Sequence, residues 1–429
     1  MNRRKFIQYC SGLGLGLTLV NPALAQQQGS PQRFWVSVNA AGGWDPTIFI
    51  DPKGDRPRAD GRGPVNHYPT GAIEQAGNVV YASAYPEDSD VPDGDSPGHL
   101  VNFIAKHYPH LLVINGIDTQ TNNHDAGSRF IWSGKIEAGY PSFTALAAAT
   151  TAPDEPLSFI SNGGYDQTMG VVAPARIGGG DVFHRLAFPN ASRPDKPVEE
   201  RSPYLSNDVY AVVQQARSDR LARLYSRNSL PLHKQQISEL MLARAGDNNL
   251  NQLVKNLPED QSRGLSGQAE VAVAAFASGV AVSANLNQGG FDTHGNHDLN
   301  QYRRFTDLLV GIDHLWEQIK LHNLEDKVTV VVGSDFGRTP FYNSNRGKDH
   351  WNVTSIMAMG AGVRGNRVVG ATDAHFEALP INPNTLAMDP NGVILTPEHI
   401  HVALRQMAGV SAEYQSEFGI QENHINLFS

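Results

Sequence analysis

Three aspartates of the chain lie directly after apolar segments that have the composition of buried strands. They are Asp45, Asp292 and Asp335. In an open α/β sheet, the carboxyl ends of parallel strands meet at one edge, and ligands bind there. An aspartate at a strand end can also cap a helix or form a turn. Because three of them are expected at the same edge, we interpret them as candidate metal ligands.

Histidines lie close to these aspartates along the chain. His294 and His297 follow Asp292 in the segment Asp-Thr-His-Gly-Asn-His, and His350 follows Asp335 after a short loop. Mixed Asp and His ligands are typical of zinc or another divalent transition metal, whereas calcium binds oxygen ligands. We therefore predict one or two divalent ions, zinc first, with manganese or calcium as alternatives. A surface or capping role explains His297 equally well.

A cation and a polar loop extend this set of candidate residues. Arg338 lies three residues beyond Asp335, and a guanidinium beside a metal is suited to a phosphate or sulfate oxygen. A structural salt bridge to an acid is the alternative for Arg338. Residues 118–125 offer hydroxyl and amide groups before an expected helix start, which suits an anion. A plain polar turn explains that loop nearly as well.

The elements that position these residues alternate between strands and helices. Apolar runs predict strands at 33–39, 111–116, 157–161, 281–286, 327–334 and 355–359. Helices are predicted at 97–107, 141–151, 297–322 and 397–408, and residues 203–285 are expected to be mostly helical. Residues 51–97, rich in Gly, Pro and Asp, are interpreted as a loop insertion. This alternation predicts an α/β fold, a three-layer sandwich with a mainly parallel sheet.

The first 25 residues predict export through the twin-arginine pathway. Arg3 and Arg4 are followed by an apolar stretch at 13–20 and by Ala-Leu-Ala at 23–25. The apolar stretch is too short to span a bilayer, and the small residues fit a cleavage site. We therefore predict a periplasmic or secreted protein without a permanent membrane anchor. Its partner during export would be the twin-arginine translocase, and residues 26–429 would form one domain.

Composition excludes several other classes of protein. The formal net charge is −9 and the chain has no basic stripe, so it lacks the electrostatic footprint of a nucleic-acid-binding protein. Its single cysteine, Cys10, lies in the predicted signal segment. The predicted mature chain therefore has neither a disulfide nor a cysteine nucleophile, and its stability must come from a sizeable core.

Five motifs resemble those of a family of twin-arginine-exported proteins, the domain of unknown function 1501 family, which is similar to the alkaline phosphatase and sulfatase superfamily. They begin at Gly42, Asn122, Gly290, Gly333 and Asp349. They occur in the family's order and extend over nearly all of the predicted mature chain. The resemblance implies an alkaline-phosphatase-like fold with a helical insertion.

The resemblance also implies roles for individual residues. One metal would be bound by Asp45 and Asp335, and another by Asp292, His350 and either His294 or His297. The nucleophile would be Thr121 or Thr119, which lie after the second strand, and His124 would position the substrate. Phe336 stands where the superfamily usually has His or Asn. The second metal is therefore either missing or bound through His124.

Two functions follow from these expectations. The first is a metal-dependent hydrolase of phosphate esters, or less readily of sulfate esters, in a small molecule or a polymer. Arg338 would then stabilise charge on the non-bridging oxygens. A formylglycine-type sulfatase is disfavoured because no cysteine motif is present. The alternative is a non-catalytic binding or assembly protein of the cell envelope that keeps the hydrolase fold.

Overall fold

The computed structural model of the chain describes residues 33–429 except 59, 85–97, 154, 156, 177–183, 186, 194–195, 197–199, 231–232, 235–236 and 238–249. The predicted signal segment and the predicted helix cap at Ser96 and Pro97 lie outside the described residues, as do parts of 51–97 and 203–285. The start of the predicted domain at residue 26 therefore stays a prediction.

An eight-stranded sheet carries the architecture. The strands of the described residues are β1 (Phe34–Ala40), β2 (Ile73–Ala76), β3 (Val79–Ala82), β4 (Leu111–Asp118), β5 (Phe159–Ser161), β6 (Pro174–Arg176), β7 (Ser283–Gln288), β8 (Val328–Gly333), β9 (Gly337–Arg338), β10 (His350–Trp351), β11 (Val353–Gly360) and β12 (Arg367–Val369). The order in the large sheet is β12-β4-β11-β8-β1-β7-β5-β6. Its pairs are parallel except those of β11, which runs antiparallel to both β4 and β8.

Helices cover this sheet. Those of the described residues are α1 (Gly98–His107), α2 (His124–Ser133), α3 (Phe143–Thr151), α4 (Asn207–Arg227), α5 (Leu250–Asn256), α6 (Gly264–Ala277), α7 (His297–Leu321), α8 (Pro397–Met407) and α9 (Ala412–Glu417). Single 3₁₀ turns occur at Pro46–Ile48, Thr70–Ala72 and Tyr108–His110. None of the helices in the described part of the chain combines the length and the apolar character that a membrane span requires.

Two hydrophobic cores lie on opposite faces of the sheet, because successive side chains of a strand point to opposite sides. Val330 of β8 packs in one core and Val331 in the other. The first core is closed by α1, α5, α6 and α7, and the second mainly by α2 and α8, while α3 contributes side chains to both. Strands covered on both faces are buried along their whole length, as β1 and β8 are. The predicted three-layer, mainly parallel fold is thus confirmed.

The two predicted irregular regions have distinct structures. Residues 51–97 include the antiparallel β2–β3 hairpin, so this region is not only loop. Within 203–285, α6 packs against β7 and α7 and forms part of the layer that covers the sheet. Helix α4, by contrast, has no buried residue.

The carboxyl edge of the sheet gathers the predicted site residues. Strands β1, β7 and β8 are adjacent and parallel, so the segments that follow them leave from the same edge. Strand β11 is antiparallel, and Val353 at its start pairs with Asp118 at the end of β4. The segment before β11, which contains β10, therefore reaches this edge from the opposite direction. Helix α2 begins there at His124.

Candidate metal centre

Four side chains converge at the carboxyl edge, and we call them the His/Asp cluster: His124, Asp292, His294 and His350. Asp292 Oδ1 lies 3.0 Å from His294 Nε2 and 3.2 Å from His350 Nε2. Asp292 Oδ2 lies 3.5 Å from His124 Nε2. Among the described residues, His124, Asp292 and His350 form a group whose potential ligand atoms are all within 4.8 Å of one another. His294 adds a third imidazole, because its Nε2 lies 3.0 Å from His350 Nε2.

Each imidazole of the cluster is held by an oxygen at its other nitrogen, Nδ1. A carbonyl or carboxylate oxygen accepts, so the hydrogen of a neutral ring is on Nδ1 and the lone pair is on Nε2. Metal-binding histidines usually have such an oxygen partner, which fixes the tautomer and the ring orientation. The pairs are His124 with Asp335 (2.8 Å), His294 with Asp349 (2.8 Å), and His350 with the carbonyl of Asn122 (2.7 Å).

The Nε2 atoms therefore face one another as acceptors when the rings are neutral. Burial lowers the pKa of His350, which favours its neutral form. His124 Nε2 is buried without a hydrogen-bond partner, although the hydrogen bond to Asp335 raises the pKa of this ring. The Nε2 atoms of His294 and His350 lie 3.0 Å apart, and two neutral acceptors at this distance repel each other unless a proton or a metal ion lies between them. This arrangement fits a divalent metal ion bound by nitrogen and oxygen ligands.

Arg338 lies beneath the cluster and is fully buried. Its Nε donates to the carbonyl of Gly43 (2.7 Å), Nη1 to the carbonyl of Lys348 (3.1 Å), and Nη2 to Asp292 Oδ1 (2.8 Å). Burial is the largest influence on the Asp292 carboxyl and raises its pKa, but Arg338 outweighs it and brings the pKa to about 2. Arg338 thus keeps Asp292 ionised and in place, and its guanidinium is not exposed to a substrate.

Asp45 and His297 belong to a separate network that is completely buried. Asp45 Oδ2 lies 2.9 Å from His297 Nε2 and 2.7 Å from Lys348 Nζ, while Oδ1 accepts from the backbone and hydroxyl of Thr47. Burial is the largest influence on the pKa of Asp45, but Lys348 and His297 outweigh it and hold this pKa far below its usual value. The structure therefore does not bring Asp45 or His297 to the His/Asp cluster.

Asp335 lies next to the cluster and orients one of its members. Its Oδ2 lies 2.8 Å from His124 Nδ1 and accepts from the backbone N–H of Gly42 at 3.2 Å. Its Oδ1 is buried without a hydrogen-bond partner. The family resemblance implied that Asp335 and Asp45 bind one metal together, whereas in the structure Asp335 bonds His124.

The hydroxyls of the two candidate nucleophiles form hydrogen bonds to the backbone. Thr119 is fully buried, and its hydroxyl donates to the carbonyl of Asn352 at 2.8 Å. The hydroxyl of Thr121 accepts from the backbone N–H of Asn123 at 3.2 Å. These contacts place neither oxygen among the four converging side chains.

Several residues of the site were not predicted as functional from the sequence. Asp349 and Asn122 hold two of the imidazoles, and both lie directly in the motifs that carry His350 and His124. Phe336 packs its ring against the rings of His124 and His350, with centroids 4.8 and 4.5 Å away. The signal for Asp349 and Asn122 was their place in these motifs, but their partners depend on the tertiary fold.

Close backbone approaches assemble the cluster, and glycines permit them. A side chain at Gly42, whose φ is +117°, would place its Cβ 2.6 Å from the backbone nitrogen of Asp292. A Cβ at Gly347 would lie 1.9 Å from the carbonyl oxygen of His294. Only glycine lets these segments approach so closely.

Comparisons with known proteins give distant structural likenesses. The crystal structure of Ps i-CgsB in complex with k-i-k-neocarrahexaose is 8% identical, covers 93% of this chain and 76% of its own, and has a TM-score of 0.41. The PsFucS1 sulfatase from Pseudoalteromonas sp. is 8% identical over 91% of this chain and 70% of its own, with a TM-score of 0.36. The phosphonate monoester hydrolase of Agrobacterium radiobacter is 10% identical over 88% and 74%, with a TM-score of 0.33. Values this low carry no activity from those proteins to this chain.

A search of curated proteins finds no match. The family model described as "Protein of unknown function (DUF1501)" matches residues 34–388. This range contains the whole His/Asp cluster and the five motifs on which the resemblance was based. The predicted family is thereby confirmed, and the chain belongs to the DUF1501 family of proteins of unknown function.

Proposed function

We propose that the chain is an exported, metal-dependent hydrolase of phosphate esters, with sulfate esters as the second substrate class. One observation carries the proposal: three imidazoles and a carboxylate converge, and an oxygen holds the Nδ1 of every imidazole. Histidines that only happen to be neighbours on a surface are not expected to share one orientation. Histidines that bind one ion through Nε2 are expected to share it, because an oxygen partner at Nδ1 fixes each ring.

The donor set fits a divalent transition metal. The orphaned Nε2 of His124 and the facing Nε2 atoms of His294 and His350 call for a cation. His124, Asp292 and His350 would hold the ion, with His294 beside them. Three nitrogens and one carboxylate favour zinc or manganese over calcium. When bound, such an ion supplies Lewis acidity that polarises an ester oxygen and eases deprotonation of water.

The His/Asp cluster is accessible to a substrate. The side chains of His124, Asp292 and His294 are 37%, 48% and 48% exposed, so an ester can reach the cluster from solvent. Because Thr119 is buried and bonded to the backbone, and neither threonine hydroxyl belongs to the His/Asp cluster, we infer that water attacks. The water oxygen forms the new bond to phosphorus as the bond between phosphorus and the ester oxygen breaks. One water proton goes to the departing ester oxygen, which leaves as an alcohol, and the other stays on the new phosphate oxygen.

The test is metal content and activity of the purified chain. We expect bound zinc or a similar ion, hydrolysis of bis(nitrophenyl) phosphate, and loss of both metal and activity in His350→Ala. His110→Ala is the matched control, because His110 is exposed and lies outside the cluster. Thr119→Ala and Thr121→Ala should keep the hydrolytic activity, because the attacking group is water and not a threonine hydroxyl. A chain that binds no divalent metal would refute the proposal.

A second function is favoured by one feature of the same site. Four side chains can close a tetrahedral shell, as in structural zinc sites, and leave no position for a substrate. The chain would then be a non-catalytic binding or assembly protein of the cell envelope. Cobalt(II) absorption separates the two functions. A spectrum that changes with added inorganic phosphate indicates an open position, and an unchanged spectrum indicates a closed one.

A further inference from the structure

A buried lysine lies beside the His/Asp cluster in a site built of oxygen acceptors. Lys348 Nζ lies 2.7 Å from Asp45 Oδ2, 2.6 Å from Asn66 Oδ1 and 3.3 Å from Thr47 Oγ1. All four residues have no exposed surface. With His297, which bonds the same oxygen of Asp45, they form what we call the buried lysine site.

The buried lysine site has the composition of a cation site, and its cation is an ammonium group. An ammonium has three N–H donors, and three acceptors surround Lys348 Nζ. The ring of Tyr342 lies 5.1 Å from the same nitrogen, which adds a cation–π contact. Asp45, which resembles a metal ligand in the sequence, is therefore already paired with a positive charge that the chain itself supplies. His297 is occupied as well, because its two ring nitrogens bond Asp45 and the hydroxyl of Thr293.

The backbone of Lys348 connects this site to the cluster. Its N–H donates to the carbonyl of Thr293 at 3.2 Å, and Thr293 lies between two cluster members along the chain. Its carbonyl accepts from Arg338, which also binds Asp292. The next two residues are Asp349 and His350. One anchored residue thus fixes two of the three segments that carry the cluster, the segment of Asp292 and His294 and the segment of His350.

We propose that Lys348 is a positioning residue of the metal centre and the resident cation of the buried lysine site. The buried lysine site consequently takes no metal, and the chain binds one ion, in the His/Asp cluster. This inference rests on the proposed function, since it concerns the geometry of the same centre. Beyond the proposed function, it states that one ion binds per chain and that Lys348 positions His350.

The experiment compares metal binding in three proteins. Asp45→Asn/Lys348→Met removes both charges of the pair, so no charge is left buried without a partner. The matched control is Asp51→Asn/Lys53→Met, because Lys53 and Asp51 form another buried pair, at 3.0 Å, away from the cluster. Ions per chain are counted by elemental analysis. Zinc affinity is measured by competition with a chromophoric chelator, and ligand geometry by cobalt(II) absorption.

We expect one ion per chain in the unaltered protein and in the control, with equal affinity and equal cobalt spectra. In Asp45→Asn/Lys348→Met we expect affinity to fall by about tenfold or more and the cobalt spectrum to shift. Two ions in the unaltered chain, a count that needs no variant, would overturn the inference. So would a double variant with the control's affinity and spectrum. No ion in the unaltered chain would instead reject the proposed function, and the inference with it.

Discussion

At the scale of single residues, the site is defined by what holds each ligand. Arg338 donates hydrogen bonds to Asp292 and to backbone carbonyls. One carboxylate oxygen of Asp335 accepts from His124 and from the backbone N–H of Gly42. The charged groups nearest the cluster therefore orient ligands and do not face a substrate. Sequence patterns identify which residue types gather at this edge. They do not show which of these side chains belong to the cluster and which only form hydrogen bonds to its members.

Asp335→Asn tests this orienting role. The amide keeps the size of the side chain but removes the charge that holds Nδ1–H of His124. We expect zinc affinity to fall by about 10- to 100-fold, as is usual when the hydrogen-bond partner of a metal-binding histidine is changed. Chelator competition measures it. Asp118→Asn is the control, because Asp118 lies at the same edge and bonds Gln120 and Asn352 instead. Equal affinity in the two variants would show that Asp335 does not act through His124.

At the scale of elements, prediction from sequence succeeded for the buried strands and was incomplete at their connections. Continuous apolar runs such as that of β8 predict a strand whatever its neighbours are. The direction of β11 depends on its pairing with β4 and β8. Local sequence patterns do not predict such pairing. The two-residue ladder of β9 and β10 has no periodicity at all. Yet this ladder pairs His350 with Arg338 and so completes the cluster.

Helix α2, which begins at His124, is held at its other end by α8. His401 Nε2 lies 2.8 Å from the carbonyl of Ile131, and Arg405 donates to the carbonyl of Ser133 at 2.9 Å. These groups satisfy carbonyls that the end of a helix leaves unpaired. A carbonyl only accepts, so Nε2 of His401 carries the hydrogen of the neutral ring. The placement of His124 therefore depends on a packed helix end on the far side of α2.

His401 contributes to the pH dependence of stability. Burial is the main cause that lowers its pKa from 6.5 to about 3. The unfolded chain therefore binds a proton between these values that the folded chain does not. The contribution is complete above pH 6.5 and is lost as pH falls towards 3, so at pH 5 we expect a loss of about 2 kcal/mol. Urea unfolding at pH 7 and pH 5 measures it. His401→Gln should lose less stability over this range, and an equal loss would contradict the assignment.

At the scale of the whole molecule, the proposed ligands come from positions 124 to 350, so the His/Asp cluster exists only in the folded chain. Strand order explains why the sequence could locate this edge. Asp45, Asp292 and Asp335 follow β1, β7 and β8, three adjacent parallel strands. The sequence could not show that Lys348 pairs with Asp45, because these two residues are 303 positions apart along the chain and meet only in the protein interior.

A centre that requires the complete fold is compatible with export of the folded, metal-loaded chain, and this makes the twin-arginine pair testable. In Arg3→Lys/Arg4→Lys the charge is kept but the two planar guanidinium groups are lost. We expect this variant to remain in the cytoplasm at full length, whereas the unaltered chain reaches the periplasm without residues 1–25. Cell fractionation and mass measurement of the protein check both points. Arg303→Lys/Arg304→Lys, a second arginine pair that lies in α7, is the control and should be exported normally. Normal export of the Arg3→Lys/Arg4→Lys variant would refute the twin-arginine route and leave the site's chemistry untouched.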